Sequence, residues 1–222
     1  MQTYKKKFVE FLVRADALNF GEFTLKSGRR SPYFFNSSKF NNGQLIKELG
    51  SYYAAAIEEN APNCNLIYGP SYKGIPLCIT TAIALSGSSN QDIGYFFNRK
   101  EKKKYGDQGI LVGQFPLVSD FVVMVDDVIT DGQTKIESVE LIRKLCKVKF
   151  SGVLVALDRM EKNSPANDAI TEFQQKTGIP VWSIINIRET CDYLKNRKID
   201  GSVVLEDSIF LKIENYLAEH CV

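Results

Sequence analysis

Short, almost entirely apolar segments alternate along the chain with longer segments of helical periodicity, and this alternation limits the possible folds most. Apolar runs of strand length occur at residues 66–68, 93–97, 121–125, 152–157 and 181–185. Helical patterns occur at residues 4–18, 43–60, 74–86, 135–146, 165–176, 188–196 and 206–219. Strands that are apolar throughout are typical of a parallel sheet with both faces covered. The sequence therefore predicts an α/β fold in which helices flank a central parallel sheet through right-handed crossovers.

The size and composition of the chain are those of a globular enzyme. Its 222 residues suggest one large domain or one domain with an added lobe. The hydrophobic fraction is 44%, and the formal net charge of +2 gives no argument for a nucleic-acid partner. No apolar run approaches the ~20 residues of a membrane span, and the basic N-terminus lacks the apolar region of a signal peptide. We therefore expect a mature N-terminus and no membrane partner.

The cysteines and the histidine exclude several classes of site. The five cysteines are scattered without a C-x-x-C pair, which argues against a disulfide framework or a zinc site and makes the cytoplasm the default compartment. The only histidine is His220, which we expect to be solvated. Chemistry of the Ser-His-Asp type and histidine-rich metal sites are therefore not expected.

The segment VVMVDDVITDGQT, residues 122–134, joins a buried strand to two adjacent carboxylates and a short polar turn. Thr134 and Glu137 have the spacing of a capping box, which predicts Thr134 as the N-cap of the next helix. The free N–H groups of a helix N-terminus favour an anion, and Gly132 allows a close approach of the backbone. The carboxylates suit sugar hydroxyls or a metal-bound group, so the segment favours a sugar phosphate as ligand.

A lone pair of aspartates more often only keeps a strand end solvated. The apolar strand before this pair and the glycine turn after it favour the functional interpretation. In open α/β sheets, ligands bind beyond the carboxyl ends of the strands, where these carboxylates are expected to lie.

Residues 122–134 resemble the phosphoribosyl-diphosphate (PRPP) signature of the type I phosphoribosyltransferase family. Further segments resemble the orotate branch of that family, in the same order and at similar spacing: FGEFTLKSGRRSPYFFN (20–36), YGPSYKGIPL (68–77), FNRKEKKKYGDQG (97–109) and ALDRMEK (156–162). The resemblance extends from about residue 8 to 187. It implies one phosphoribosyltransferase domain over residues 1–222, with a small hood to which residues 1–40 and C-terminal segments contribute.

The resemblance implies the Mg²⁺-dependent transfer of a phosphoribosyl group from PRPP to orotate, which gives orotidine 5′-monophosphate and diphosphate. It also implies a homodimer in which a lid, residues 99–109, covers the site of the partner subunit. Mg²⁺ is expected to be held mainly through PRPP and diphosphate, with no protein ligand assigned. The compartment implied is the cytoplasm.

The resemblance also assigns roles to individual residues. The implied catalytic residues are Lys103, Asp107, Asp126 and Asp127. The implied PRPP-binding residues are Lys26, Tyr72, Lys73, Arg99, Lys100, Lys103, Tyr105, Asp126, Asp127, Val128, Ile129, Thr130, Asp131, Gly132, Gln133 and Thr134. The implied orotate-binding residues are Phe34, Phe35, Thr130 and Arg159. Phe34 and Phe35 are expected in a loop, with core packing as the alternative, and Arg159 could instead be a surface cation.

The chain departs from the family pattern in two segments. The lid reads KKYGDQG where the family usually has KDHGEGG, so Tyr105 replaces a histidine and Asp107 a glutamate. Because tyrosine does not titrate near neutral pH, a proton shuttle at residue 105 is not expected. The phosphate loop reads TDGQT where the family usually has TAGTA, and the added Asp131 is expected to turn outward, towards Lys135.

Two other functions fit parts of these patterns. A non-catalytic PRPP-sensing regulator would need a basic face or a nucleic-acid module, which the net charge of +2 does not indicate. A purine-base transferase is disfavoured by Phe34, Phe35 and Arg159.

Overall fold

A computed structural model of the protein describes residues 1–25, 28–89, 91–101, 109–130, 132–162 and 167–221. Its main sheet has the order β5–β4–β3–β6–β7–β8. The strands are β3 Leu66–Gly69, β4 Gly94–Asn98, β5 Leu111–Gly113, β6 Phe121–Val128, β7 Lys149–Asp158 and β8 Val181–Asn186. All neighbouring strands are parallel except β4 and β5. The predicted parallel sheet and its five predicted strands are confirmed.

Seven helices surround this sheet in the described part of the chain: α1 Thr3–Arg14, α2 Gly43–Asn60, α3 Gly74–Ser89, α4 Gln133–Leu145, α5 Ala169–Thr177, α6 Ile187–Leu194 and α7 Asp207–His220. Buried residues of α1, α2, α3, α6 and α7 form one core with strand residues such as Val123 and Val125. Buried residues of α4 and α5 form a second core with Val122 and Met124. Because successive side chains of β6 belong to different cores, the two cores lie on opposite faces of the sheet.

The N-terminal segment departs from the prediction. The helix predicted over residues 4–18 ends at Arg14, because Asp16 has a left-handed conformation with φ of 54°. Residues Leu18–Thr24 then form β1, which pairs with β2, Arg30–Phe35, in a separate antiparallel hairpin. Phe34 and Phe35 therefore lie in a strand and not in the loop that we expected. A two-stranded hairpin tolerates Pro32 because both of its strands are edge strands.

Other helix boundaries differ from the prediction by a few residues. The helix predicted over 165–176 begins at Ala169, where the Asp168 side chain accepts a hydrogen bond from the Thr171 N–H. It ends at Gly178, whose φ of 70° is left-handed. A second small hairpin, β9 Lys198–Ile199 with β10 Ser202–Val203, was not predicted. None of the helices in the described residues is long and apolar enough to cross a membrane.

Helices α2 and α3 approach each other closely at Gly50. A Cβ atom at Gly50 would lie 2.6 Å from the Thr80 carbonyl oxygen. The Thr80 hydroxyl also donates a hydrogen bond to the Ile46 carbonyl at 2.8 Å, which links the two helices. This contact fixes the spacing of the two helices that carry Tyr53 and Leu77 into the cavity described below.

We predict that Gly50→Ala lowers the free energy of unfolding by about 1–3 kcal/mol, the usual cost of overpacking a close contact. Gly87→Ala in α3 is the matched control, since no atom lies within 4 Å of a Cβ there. Alanine at that helical position should raise stability by up to about 1 kcal/mol. Urea unfolding of both variants measures the difference, and a Gly50→Ala protein as stable as Gly87→Ala would contradict the prediction.

Candidate active site

The predicted site residues lie at the carboxyl ends of four neighbouring strands of the main sheet. Residues 70–73 follow β3, residues 99–101 follow β4, residues 126–130 end β6 and residues 159–161 follow β7. Since β3, β4, β6 and β7 are parallel neighbours, these ends meet at one edge of the sheet. The structure therefore brings these residues to the carboxyl edge of the sheet, where the sequence analysis expected the two carboxylates.

The carboxylate of Asp127 lies at the centre of this edge and contacts residues from two other segments. Its Oδ2 atom accepts hydrogen bonds from Lys73 Nζ and Ser37 Oγ, both at 2.6 Å. Lys73 Nζ also lies 3.1 Å from Ser37 Oγ, so the three side chains contact one another. Ser37 opens a short 3₁₀ turn that begins where the Asn36 side chain accepts the Ser38 N–H.

The neighbouring carboxylate, Asp126, has a different partner. Its Oδ2 atom lies 2.6 Å from Lys135 Nζ, which also donates to the Val128 carbonyl at 2.7 Å. Its Oδ1 atom accepts the N–H of Asp127, and the Asp126 carbonyl accepts the Tyr53 hydroxyl at 2.7 Å. The two aspartates are therefore adjacent in sequence but bind separate lysines.

The pKa values of the two carboxyl groups shift in opposite directions. Burial and the nearby charge of Asp127 outweigh the opposing effect of Lys135, so the pKa of Asp126 is raised. Burial also acts to raise the pKa of Asp127, but hydrogen bonds from Lys73 and Ser37 outweigh it and lower that pKa below its ordinary value. Asp127 is therefore the more firmly ionised of the pair.

The start of α4 differs from the predicted capping box. The N-cap residue is Gly132, with φ of 72°, and no side chain caps the helix there. Thr134 lies inside the helix and accepts the Ser138 hydroxyl on its carbonyl, while Gln133 donates its amide to Glu137. The capping-box prediction was therefore wrong, because left-handed Gly132 starts the helix earlier. The N-terminus of α4, the positive end of the helix dipole, still lies a few residues after the carboxylates.

A cavity of about 200 Å³ adjoins Asp127. Phe35 contributes an aromatic wall, and Ser37, Lys73 and Asp127 contribute polar atoms. The remaining lining residues are Ser38, Phe40, Ile46, Leu49, Tyr53, Pro76, Leu77 and Ala156. Phe34 points to the other side of its strand, where its ring stacks on Phe23 with a centroid distance of 5.5 Å. The cavity combines an apolar wall with charged groups, which suits a small, flat and charged ligand.

Arg159 follows β7 as predicted, but its guanidinium is buried and does not line this cavity. It donates to the Glu161 carboxylate at 2.5 and 3.0 Å and lies over the Tyr33 ring, so it is not a surface cation. The same carboxylate accepts the Tyr216 hydroxyl of α7 at 2.7 Å and lies 3.5 Å from Arg29 of the hairpin. Burial opposes ionisation of Glu161, but the Arg159 hydrogen bonds outweigh it and lower the pKa. Glu161 thus joins three separate parts of the chain.

The predicted cationic residues after β4 lie beside a second cavity, of about 360 Å³. Lys100 Nζ lies 4.7 Å from the centroid of the Tyr72 ring, and the Arg99 guanidinium donates to the Gly109 carbonyl. Ile129 and Thr130 line a small recess beside Asp158 and therefore face neither cavity. The predicted residues Lys26, Lys103, Tyr105, Asp107 and Asp131 lie outside the described residues.

Two residues of the site were missed by the sequence analysis, Ser37 and the buried Lys135. Asp131, which was expected to turn towards Lys135, lies outside the described residues, and the Lys135 ammonium contacts Asp126 and Val128. A lysine in the first turn of a helix is an unusual placement, and this signal could have pointed to a carboxylate partner. The described residues contain no group of three or more His, Cys, Asp or Glu side chains that could hold a metal ion.

Comparisons with known proteins give a consistent result, although no family model matches the chain. It is 47% identical over 208 residues to the orotate phosphoribosyltransferase of Methylococcus capsulatus, covering 93% of this chain and 96% of that one. It is 38% identical over 221 residues to the Clostridium beijerinckii enzyme of the same name, covering 99% of both chains. A crystal structure of orotate phosphoribosyltransferase from Francisella tularensis matches with a TM-score of 0.82 and 33% identity, over 97% of this chain and 100% of that chain.

We predict that Lys73→Met raises the pKa of Asp127 and lowers stability in a pH-dependent way. A lowered carboxyl pKa stabilises the fold above the ordinary value of ~3.9, and this contribution disappears as the pH falls through the folded-state pKa. The loss should therefore be largest at neutral pH and vanish in acid. We expect about 1 kcal/mol or less, because water screens the Lys73 side chain, which is 63% exposed. Unfolding by urea at several pH values measures it.

Lys212→Met is the matched control for this experiment. The Lys212 side chain is 62% exposed, and its partner Glu22 is 79% exposed. An ion pair so accessible to water should contribute less than about 0.5 kcal/mol at any pH. The same pH dependence of stability in both variants would show that the contact between Lys73 and Asp127 contributes no more than an exposed ion pair.

Proposed function

The chain belongs to the orotate phosphoribosyltransferase family, and we propose that its reaction takes place at the strand ends around Asp126 and Asp127. The enzyme, a pentosyltransferase, transfers the phosphoribosyl group of PRPP to orotate and releases diphosphate. Its product is orotidine 5′-monophosphate, an intermediate of pyrimidine biosynthesis. The observation that carries the proposed location is the contact of Asp127, Lys73 and Ser37 beside the cavity walled by Phe35.

PRPP is proposed to bind along the edge of the sheet. The 5′-phosphate would bind at the turn of residues 128–134, because the positive end of the α4 dipole attracts an anion. Asp126 and Asp127 would accept hydrogen bonds from the ribose hydroxyls. The diphosphate would bind the cationic side chains around the second cavity. The groups proposed for PRPP, inside and outside the described residues, are Lys26, Tyr72, Lys73, Arg99, Lys100, Lys103, Tyr105 and residues 126–134.

Lys73 is proposed to exchange partners when PRPP binds. Its side chain is 63% exposed, whereas that of Asp127 is 10% exposed, so the lysine has room to move and the carboxylate does not. An incoming diphosphate offers Lys73 a stronger anion. Before the substrate binds, the contact with Lys73 neutralises Asp127. Movement of Lys73 towards the diphosphate would then leave Asp127 available to a ribose hydroxyl.

Orotate is proposed to bind against Phe35. The ring would lie in the cavity of about 200 Å³. The other implied contacts, Phe34, Thr130 and Arg159, do not line this cavity and would have to approach the ring when it binds. The hood would consist of the β1–β2 hairpin with α7 behind it, where the Tyr33 and Tyr216 rings meet edge to face at 5.9 Å. An approach of Arg159 to the orotate carboxylate requires the guanidinium to share or leave Glu161.

The reaction forms a bond from a ring nitrogen of orotate, which gives up its proton, to the anomeric carbon while the bond from that carbon to diphosphate breaks. Positive charge then develops on the ribose ring, and the electron pair of the broken bond remains on the diphosphate oxygen. The buried carboxylates Asp126 and Asp127 would stabilise the positive charge, and Lys103 the leaving diphosphate. Asp107 is assigned to the catalytic group by the resemblance alone. The contribution of the protein is mainly positioning and electrostatics.

Mg²⁺ is proposed to enter with PRPP. The carboxylates at the strand ends already contact lysines, and a metal held mainly by substrate phosphates fits such a donor set. Bound to the phosphates, Mg²⁺ would neutralise part of the charge of the leaving diphosphate. The cytoplasm is proposed as the compartment, in keeping with five cysteines that are all free thiols.

We predict that the purified protein consumes orotate with PRPP and Mg²⁺ and does not consume uracil or hypoxanthine. In the same assay, Asp127→Asn should lower kcat about 100-fold or more, the usual effect of removing one electrostatic contact to a transition state. Asp120→Asn is the matched control, since Asp120 is similarly buried but precedes β6 at the opposite edge of the sheet. Turnover by a folded Asp127→Asn protein equal to that of Asp120→Asn would contradict the assignment.

A homodimer with shared sites is also proposed. Residues 99–109 are almost wholly polar and include five cations, so they suit a neighbouring anionic ligand better than burial on their own subunit. Phe115, Leu117 and Val118 follow β5 near the edge of the sheet and are each more than half exposed, which favours a partner subunit on this side.

We predict that two inactive variants, Lys103→Ala and Asp127→Asn, regain activity when their subunits exchange. In the hybrid dimer one site collects both defects and the other has none. As a control, Asp126→Asn mixed with Asp127→Asn should stay inactive, because both defects come from the same side of each site. A hybrid of Lys103→Ala and Asp127→Asn that forms but stays inactive would show that the lid acts on its own subunit.

A further inference from the structure

Lys135 is the one buried lysine in the described part of the chain, with 5% of its surface exposed. Among the described residues, its ammonium contacts the Asp126 carboxylate at 2.6 Å and the Val128 carbonyl at 2.7 Å. A lysine taken out of water to this extent is stable only when its charge is compensated. Both partners belong to the end of β6, where PRPP is proposed to bind.

Helix stability does not explain a lysine at this position. Lys135 is the third residue of α4, and its N–H donates to the Gly132 carbonyl at 3.1 Å. A cation in the first turn opposes the positive end of the helix dipole and is ordinarily unfavourable. The compensating interaction is the one with Asp126, so the position of this lysine is determined by the carboxylate.

The contacts of Asp126 restrict its carboxylate to one orientation. One oxygen binds Lys135, the other accepts the Asp127 N–H at 3.0 Å, and the Asp126 carbonyl accepts the Tyr53 hydroxyl. The partner of Asp127 is the exposed Lys73, whereas the Lys135 side chain is only 6% exposed and has no room to leave. The contact with Lys135 is therefore enclosed by protein, whereas the lysine of the other contact is open to solvent.

We propose that Lys135 is a positioning residue for phosphoribosyl transfer, which fixes the Asp126 carboxylate towards the ribose of PRPP and does not itself touch the substrate. The inference rests on the proposed location of the PRPP site. It separates the roles of the two lysines: Lys73 exchanges with the substrate, and Lys135 stays with the protein.

The electrostatic surroundings of Asp126 provide a readout that packing alone would not change. Burial and the charge of Asp127 act to raise its pKa, and Lys135 and the Asp127 N–H act to lower it. In the described part of the chain, the other titratable groups near it are Tyr53 on α2, whose hydroxyl donates to the Asp126 carbonyl, and Tyr68 on β3. Removal of Lys135 takes away the largest lowering effect and leaves burial and Asp127, so the acid limb of the profile of kcat/KM for PRPP should move to higher pH.

The test is a double-mutant cycle of Lys135→Met and Asp126→Asn in the full chain. The measurements are PRPP affinity by calorimetry with Mg²⁺ and without orotate, and the pH profile of kcat/KM. Lys135→Met should weaken PRPP binding by about 10- to 100-fold, the usual loss when the partner of a functional ligand is removed. In the Asp126→Asn background the same substitution should change the affinity by less than about two-fold, the scatter of independent effects. Lys144→Met, an exposed lysine at the other end of α4, should leave both measurements unchanged.

An equal loss of affinity in both backgrounds, or an acid limb that does not move in Lys135→Met, overturns the inference. If Lys135→Met does not fold because Asp126 loses its cation, the comparison of Asp126→Asn with the double variant decides. Equal PRPP affinity of those two supports a role through Asp126, and a further loss in the double variant refutes it. If the wild type does not bind PRPP, or if Asp126→Asn binds it as the wild type does, the proposed PRPP site is at fault rather than the role of Lys135.

Discussion

Two neighbouring carboxylates buried at the end of β6 need two cations, and the surrounding structure supplies them from different directions. Lys73 comes from the loop after β3, and Lys135 from the first turn of α4. Because two adjacent negative charges in a poorly hydrated place repel each other, each carboxylate stays ionised only with a lysine of its own. The loop after β3 and the start of α4 therefore both contact the same two residues, Asp126 and Asp127.

The two lysines differ in exposure. The buried Lys135 has little room to move beside Asp126, whereas the exposed Lys73 can move away from Asp127. Asp126 contacts the buried Lys135. The pKa of Asp126 is nevertheless raised, because burial and the charge of Asp127 outweigh the effect of Lys135. Asp127 faces the cavity, and its lowered pKa depends on an exposed partner. At this sheet edge both carboxylates are paired with lysines in the absence of substrate, and the exposed Lys73 is the partner with room to move.

The sequence predicted the sheet well because a buried parallel strand must be apolar throughout, as residues 121–125 and 152–157 are. It predicted the β1–β2 hairpin poorly, since Pro32 interrupts the strand pattern and Gly21 weakens it. At the site, the aspartates were identified from the motif, but their lysines were not both identified. The helix starts at Gly132 rather than at the predicted Thr134, so Lys135 is the third residue of α4. A lysine in the first turn signals a carboxylate partner, but which carboxylate it contacts depends on how α4 packs against β6.

The connections of Glu161 have a consequence for the order in which the protein assembles. Its carboxylate joins Arg159, which follows β7, to Tyr216 on α7, and its backbone pairs with Cys221. The contacts of the two aspartates use only segments that precede α5 in the chain, namely Ser37, Lys73 and Lys135. The cluster around Glu161 is complete only with α7, the last helix to emerge during synthesis. A chain that ends before α7 would therefore keep every residue of the two aspartate–lysine contacts and lack Tyr216, the Glu161 partner on that helix.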